Sequence, residues 1–388
     1  MNNFNFYSPT KLYFGKETER EIGKIIKSYN FNNVAFVYGK SSIKSNGLYD
    51  IVVNSLNNEK INFIELSGVE ANPKLSLVKK FKEQVKDKQI DLILAVGGGS
   101  VIDTAKSLAH AINYVGNPFD FNIAKAKPNK VIPVGVILTI SAAGSELSDS
   151  CVISNDEVNP YYKKGFNSES NRPLFAICNP ELTYSVSKFQ TGCGIVDILM
   201  HTLERYMNPN DSCMLSEEFA FGIIKTVLHY GKIAINNPND YEARANLMLA
   251  SSFSHNGLTG LGKKQAMRVH GLEHTLSGCY DEVAHGEGLA ILWPAWCKYV
   301  LDNENANKQL TRLAKVVFNK DTALEGIDEL ISYFNEIGMP TSLKQLNLKS
   351  PLDIEKMAII YSDNKTKVIK DFKDLNYDSF IEIYKLAL

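Results

Sequence analysis

Through the first 185 residues, short apolar runs rich in β-branched side chains alternate with stretches whose apolar positions recur at helical spacing. Residues 33–38, 61–66, 91–96 and 131–138 read as strands, and 47–58, 75–88 and 100–113 as helices. This βαβ alternation predicts a mainly parallel sheet covered on both faces. Beyond residue 186 strand-like runs vanish and helical periodicity takes over at 194–206, 216–235, 241–254, 308–317, 322–337 and 353–361. The pattern therefore predicts an α/β domain over 1–185 and an all-helical domain over 186–388, with the boundary near Pro180, which interrupts regular structure. A chain of 388 residues is long enough for two such cores. No fixed-period repeat is visible, which excludes solenoids and propellers.

Glycine adds chemistry to this outline. The third strand runs straight into Gly97-Gly98-Gly99-Ser100 and a following helix. Residues without Cβ let backbone N–H groups approach a pyrophosphate, and the helix N-terminus adds partial positive charge. The spacing is not G-x-G-x-x-G, since Ile102 stands where the last glycine would be. A second turn, Thr139-Ile-Ser141-Ala-Ala-Gly144-Ser145-Glu146, follows the fourth strand. Both lie at the carboxyl ends of parallel strands, where open α/β sheets bind ligands, and together they predict a dinucleotide site rather than a bare tight turn. The first strand ends in Gly39-Lys40-Ser41-Ser42, with no acidic residue before Asp50. A lysine and hydroxyls without a carboxylate favour the 2′-phosphate of NADP(H), with NAD(H) possible.

In the second half, Asp197 and His201 are separated by one helical turn, so a carboxylate and an imidazole share one face. His270 and His274 repeat the spacing, and His285 follows a short turn. Asp197, His201, His270 and His285 form a mixed oxygen and nitrogen set suited to Fe(II) or Zn(II), and the lack of a cysteine ligand argues against a closed structural zinc site. The other three histidines, His110, His229 and His255, fit ordinary core or surface roles. A rival lies in the same segment: His270-Gly-Leu-Glu273-His274 matches the H-x-x-E-H pattern of inverzincin peptidases, but that reading leaves the glycine turns and the Asp197–His201 pair unexplained.

With 42 basic and 43 acidic residues the chain has a formal charge of −1 and no basic block, which argues against nucleic acid as a partner. No apolar run approaches a membrane span, and the N-terminus has neither a charged region nor an apolar region of a secretory leader. Six scattered cysteines form no C-x-x-C pair. The expectation is a cytoplasmic protein with reduced thiols and no membrane partner.

These landmarks, with Phe14-Gly15-Lys16 near the start, Asp103 and Lys106 after the glycine turn, Gly144-Ser145-Glu146, and the segments 196–206 and 270–294, resemble the iron-containing (group III) alcohol dehydrogenases, especially their butanol dehydrogenase-like branch. The resemblance implies a Rossmann-like nucleotide domain joined to a helical metal domain, the dehydroquinate synthase-like fold. It implies a site between the domains and a homodimer. It makes Asp197, His201, His270 and His285 the metal ligands and sets His274 beside the substrate without ligating, where an imidazole, titrating near neutrality, is expected to pass the proton to solvent. Gly97, Gly98, Gly99 and Ser100 would cradle the pyrophosphate, and Asp103 would sit near the nicotinamide. Thr139, Ser141, Leu182 and Lys163, or its neighbour Lys164, would complete the cofactor contacts. Where relatives usually read T-x-P-A-T-G-S-E, Ser141 replaces the proline and Ala143 the second threonine. The implied activity is NAD(P)H-linked interconversion of short- to medium-chain primary alcohols and aldehydes. The alternatives are a polyol or glycerol dehydrogenase, the zinc peptidase, and a non-catalytic nucleotide-binding protein.

Overall fold

The computed structural model describes residues 1–388, which divide into two units. The α/β unit comprises Tyr7–Val186 together with Pro238–Ser252; the helical unit comprises Met1–Phe6, Ser187–Asn237 and Phe253–Leu388. No helix is long and apolar enough to cross a membrane.

In the α/β unit the chain runs β1 (Lys11–Phe14), α1 (Ile22–Ser28), β2 (Asn33–Tyr38), α2 (Ser42–Ser45), α3 (Leu48–Asn58), β3 (Asn62–Ser67), α4 (Leu75–Val85), β4 (Leu92–Gly97), α5 (Gly99–Ala111), β5 (Val134–Leu138), β6 (Ser150–Asn155), β7 (Tyr162–Asn167) and β8 (Phe175–Cys178). Six strands form one sheet in the order β1-β8-β5-β4-β2-β3, parallel throughout. Alternate residues of β2 and β4 serve opposite faces. Ala35, Val37, Ile93 and Ala95 pack with Phe81, Ile102 and Ala105 of α4 and α5. Val34, Phe36, Leu92 and Leu94 pack with Ile22, Ile26, Val52 and Leu56 of α1 and α3. Burial on both faces is why these strands read as continuous apolar runs.

Four strands lie outside the predicted set. β1 and β8 are four residues each, too short to show a period, and β6 and β7 form a separate antiparallel hairpin. The predicted strand at 131–138 begins only at Val134. Pro133 has no N–H to give a ladder, and its carbonyl instead accepts from the Ile93 N–H at 2.9 Å.

The helical unit contains α6 (Lys188–Tyr206), α7 (Met214–Asn236), the last turn of α8 (Tyr241–His255), α9 (Arg268–Cys279), α10 (His285–Val300), α11 (Glu304–Leu313), α12 (Ala323–Glu336), α13 (Ile354–Tyr361) and α14 (Tyr377–Leu386). Ser187 caps α6 by accepting from the Gln190 N–H, and from Thr191 onward every residue of α6 is buried. The helix is the unit's central element, packed against α7 and α10. The earlier part of α8 belongs to the α/β unit, where Met248 joins the sheet's core.

Candidate active site

The carboxyl edge of the sheet carries the predicted nucleotide turns. After β2 the chain continues outward to β3, and after β4 it continues the other way to β5, so the adjacent pair β2 and β4 is a topological switch point. Tyr38 pairs with Val96 and Gly97 with Leu138, which brings Gly39, Gly97-Gly98-Gly99 and Thr139 to neighbouring strand ends. The Thr139 N–H donates to the Gly97 carbonyl at 3.1 Å. A Cβ on Gly98 would come within 2.3 Å of Ile140 Cγ2, so close contact between two turns requires glycine there. Gly98 is also the cap residue of α5, and no side chain bonds the first N–H groups of that helix. Those donors suit a phosphate.

The remaining predicted contacts fall around this edge. Lys106 is fully buried and acts as a clamp. Its Nζ donates to Ser145 O at 2.7 Å, Ser145 Oγ at 2.8 Å, Ser148 O at 3.2 Å and Ser150 O at 2.8 Å. Asp103 accepts from Ser145 Oγ at 2.6 Å and from the Val152 N–H at 3.0 Å. Burial pushes its carboxyl up, opposed by the charges of Lys106 and Lys163. Of the two candidate lysines it is Lys163 whose charge reaches Asp103; its Nζ also donates to Asn72 at 3.0 Å. Lys164 instead lies over the Tyr162 ring. Leu182 packs on the core in the turn after β8. Ser41 and Ser42 are exposed. Lys40 is bound to a carboxylate that its local sequence does not contain: Glu70, just beyond β3, lies 2.5 Å away and also 3.8 Å from Lys74. Lys40 holds the Glu70 carboxyl below its usual value.

The helical unit assembles the predicted metal residues. Asp197 and His201 come from α6, His270 from the first turn of α9, and His285 is the first residue of α10. A Cβ on Gly286 would lie 2.4 Å from Cys193 Cα, so glycine after His285 is what lets α10 begin against α6. His270 Nε2 and His285 Nε2 lie 3.7 and 3.9 Å from Asp197 Oδ1. Donors bound to one cation at about 2.1 Å in tetrahedral geometry stand roughly 3.4 Å apart. Asp197 Oδ1 and His270 Nε2 are buried without a hydrogen bond of good geometry, although His201 Nδ1 lies 2.9 Å from Asp197 Oδ1; such atoms can accept a cation. Asp197, His201 and His270 each bring a ligand atom within 4.8 Å of the others, and His285 groups in the same way with Glu273 and His274. The Asp197, His201 and His270 set suits a divalent metal by donor type and spacing, and the 3.9 Å approach of His285 Nε2 to Asp197 Oδ1 links the two groups.

Electrostatics follow the same arrangement. Burial alone would raise the Asp197 carboxyl, yet His201, His270 and His285 hold it well below the usual range. Burial lowers His201 to about 4 against the pull of Asp197. At His270 burial is outweighed by Glu204 and Asp197, which raise it to about 9. His274 is half-buried, with its ring centroid 5.4 Å from that of His285 and 6.3 Å from that of His270.

Three further residues lie at this centre that the spacing argument did not assign to it. His255 stacks on His201 with centroids 3.9 Å apart. Glu204 accepts from His270 Nδ1 at 2.8 Å. Glu273 accepts from His285 Nδ1. Only Glu273 stood inside a visible motif, the H-x-x-E-H match.

Comparison with known proteins supplies the family. The iron-containing alcohol dehydrogenase profile matches residues 9–180, and the C-terminal profile of the Fe-containing alcohol dehydrogenase family matches 191–388. The chain is 40% identical over 391 residues to NADH-dependent butanol dehydrogenase A of Clostridium acetobutylicum, covering 99% of each protein. It is 33% identical over 357 residues to the NADPH-dependent aldehyde reductase YqhD of Escherichia coli, covering 90% of each. Among solved structures, NADH-dependent butanol dehydrogenase A from Thermotoga maritima superimposes with a TM-score of 0.93 at 37% identity, over 100% of this chain and 99% of that one. An α/β unit with nucleotide turns and a helical unit with a divalent-metal set define a metal-containing nicotinamide oxidoreductase. The chain belongs to the iron-containing alcohol dehydrogenase family.

Proposed function

We propose that the protein reduces short- to medium-chain aldehydes to primary alcohols, and runs the reverse oxidation, by hydride exchange between the carbinol carbon and C4 of a nicotinamide. The observation that carries this reading is the convergence of Asp197 Oδ1 and the Nε2 atoms of His270 and His285, two of the three atoms buried without a hydrogen bond. Asp197, His201, His270 and His285 would hold Fe(II) or Zn(II). A divalent cation there supplies Lewis acidity toward the oxygen of an alcohol or carbonyl. The N–H groups of Gly98, Gly99 and Ser100 would bind the pyrophosphate, with Gly97 shaping the turn, Thr139 and Ser141 flanking it, and Leu182 and Lys163 as further contacts. Asp103, committed to Ser145 and Val152, would order the second turn beside the nicotinamide end. His274, half-buried next to His285, would pass the substrate's proton to solvent. Replacing His274 with Phe is expected to alter the pH–rate profile while metal content stays constant.

Lys40 and the hydroxyls of Ser41 and Ser42, beside Gly39, favour NADP(H), whereas Glu70 competes for Lys40 and keeps NAD(H) acceptable. Six unpaired thiols suit the cytoplasm, and the exposed aromatics Phe4, Phe6 and Tyr7 suit a homodimer contact.

The test is a screen of C2 to C6 aldehydes and diols with NADPH and NADH, using protein of measured metal content. Turnover of butanal above that of glycerol and other polyols is expected. A preference for polyols would move the protein to the glycerol dehydrogenase side of the superfamily, and no turnover of either class would leave a nucleotide-binding protein.

A further inference from the structure

The metal-facing nitrogens of the three imidazoles are only half of each ring. A neutral imidazole presents Nε2 to a cation only when its proton sits on Nδ1, so the acceptor at Nδ1 chooses the tautomer and fixes the ring plane. The acceptors differ from ring to ring. His201 Nδ1 lies 3.0 Å from its own helix's Asp197 carbonyl and 2.9 Å from Asp197 Oδ1. His270 Nδ1 donates to Glu204 at 2.8 Å, and Glu204 accepts also from the backbone N–H groups of Val269 and His270. Glu204 therefore doubles as the partner of the first turn of α9. Glu273, fully buried on α9, accepts from His285 Nδ1.

We propose that Glu273 is the positioning residue that holds His285 as an Nε2 ligand and deepens the negative charge around the metal centre, a role that rests on the functional reading above. His285 needs such a partner more than the other two rings do. It is the first residue of α10, preceded by the turn that ends at Ala284, and its side chain keeps 25% of its surface exposed. The other ligands sit inside buried helix. With Glu204 and Glu273 added to Asp197, three buried carboxylates lie at the centre, against the buried Arg205 that donates to the His201 carbonyl. A carboxylate bonded to Nδ1 strengthens cation binding and makes the imidazole a better donor. It also gives the H-x-x-E-H segment a different meaning: its glutamate is engaged by the imidazole of a third histidine, not free to activate water.

The experiment measures equilibrium affinity for Zn(II) and Co(II) by chelator competition in the full-length protein, for the parent, Glu273→Gln, Glu273→Met, His285→Ala and the double variant Glu273→Met/His285→Ala. Carboxylate partners of metal-bound imidazoles are worth about 10- to 100-fold in affinity. Glu273→Gln is expected near the lower figure and Glu273→Met near the upper, with a changed visible spectrum of the Co(II) form and unchanged nucleotide affinity. In the His285→Ala background, Glu273→Met is expected to cost little more, because its partner is already gone. Equal metal affinity in the parent and both Glu273 variants overturns the inference, as does a full effect of Glu273→Met without His285. A melting temperature of metal-free Glu273→Gln far below that of the metal-free parent, with metal affinity retained, assigns Glu273 to packing instead. A parent that takes up neither ion would instead sink the reading of the centre itself.

Discussion

The sheet's turn edge and the histidine centre are both polar, yet they treat charge in opposite ways. At the turns, Lys106 meets four oxygens and Asp103 meets Ser145 and Val152. Those charges hold the chain's own turns in shape and leave backbone N–H groups of Gly98, Gly99 and Ser100 for a ligand. At the centre, Asp197 Oδ1 and His270 Nε2 lack a well-formed hydrogen bond, so on the proposed reading the bound ion completes the electrostatics. On that reading a nucleotide would add to a finished structure, whereas a cation would finish an incomplete one.

The largest consequence concerns metal removal. Protein verified as metal-free is expected to lose turnover entirely while still binding NADPH with nearly parental affinity in a fluorescence titration. Adding metal at about 1,000 times its dissociation constant should then raise stability by roughly 4 kcal/mol. Persistent turnover without metal would erase the distinction between the two regions. Next in size is Lys106→Met, which strands buried oxygens and Asp103 and should cost about 3–5 kcal/mol in urea unfolding of the metal-free protein, with metal uptake preserved. A loss below 1 kcal/mol would mean the clamp is dispensable.

Smaller effects sharpen the nucleotide side alone. Glu70→Gln frees Lys40, and since exposed pairs are weak, kcat/KM for NADPH relative to NADH should rise by only about twofold to fivefold. A fall in that ratio would show Lys40 plays no part. Ala143→Thr restores a hydroxyl beside Gly99, the glycine whose Cβ would lie 3.3 Å from Ala143 Cβ, and should tighten nucleotide binding by about 0.5–1.5 kcal/mol. Unchanged affinity would mean Ser141 already fills that place.

The same contrast decides what could be read from the chain. The central strands β2 and β4 and the helix α6 were legible because burial imposes continuous apolar runs or helical periodicity, and Asp197 with His201 because one turn of helix is a fixed spacing. The Glu204–His270 bond joins residues 66 positions apart, and the Lys40–Glu70 pair joins the ends of neighbouring strands. No local pattern encodes either contact. The acidic residue missing from the stretch after Gly39 is thus supplied from across the sheet, which weakens a cofactor preference argued from that stretch alone. His255 was passed over because a lone histidine at the end of a helix has no spacing partner.

The two serines at the end of α8's first segment carry one more implication. Ser251 Oγ both accepts from the Ala142 N–H and donates to the Ala142 carbonyl, each at 3.1 Å, and Ser252 Oγ donates to the buried Glu146 at 2.6 Å. The turn after β5 is therefore tied by side chains that are translated more than a hundred residues later. As the chain leaves the ribosome, the α/β unit stays unfinished at that turn until α6 and α7 have already emerged, so its maturation is bound to that of the helical segments synthesised in between.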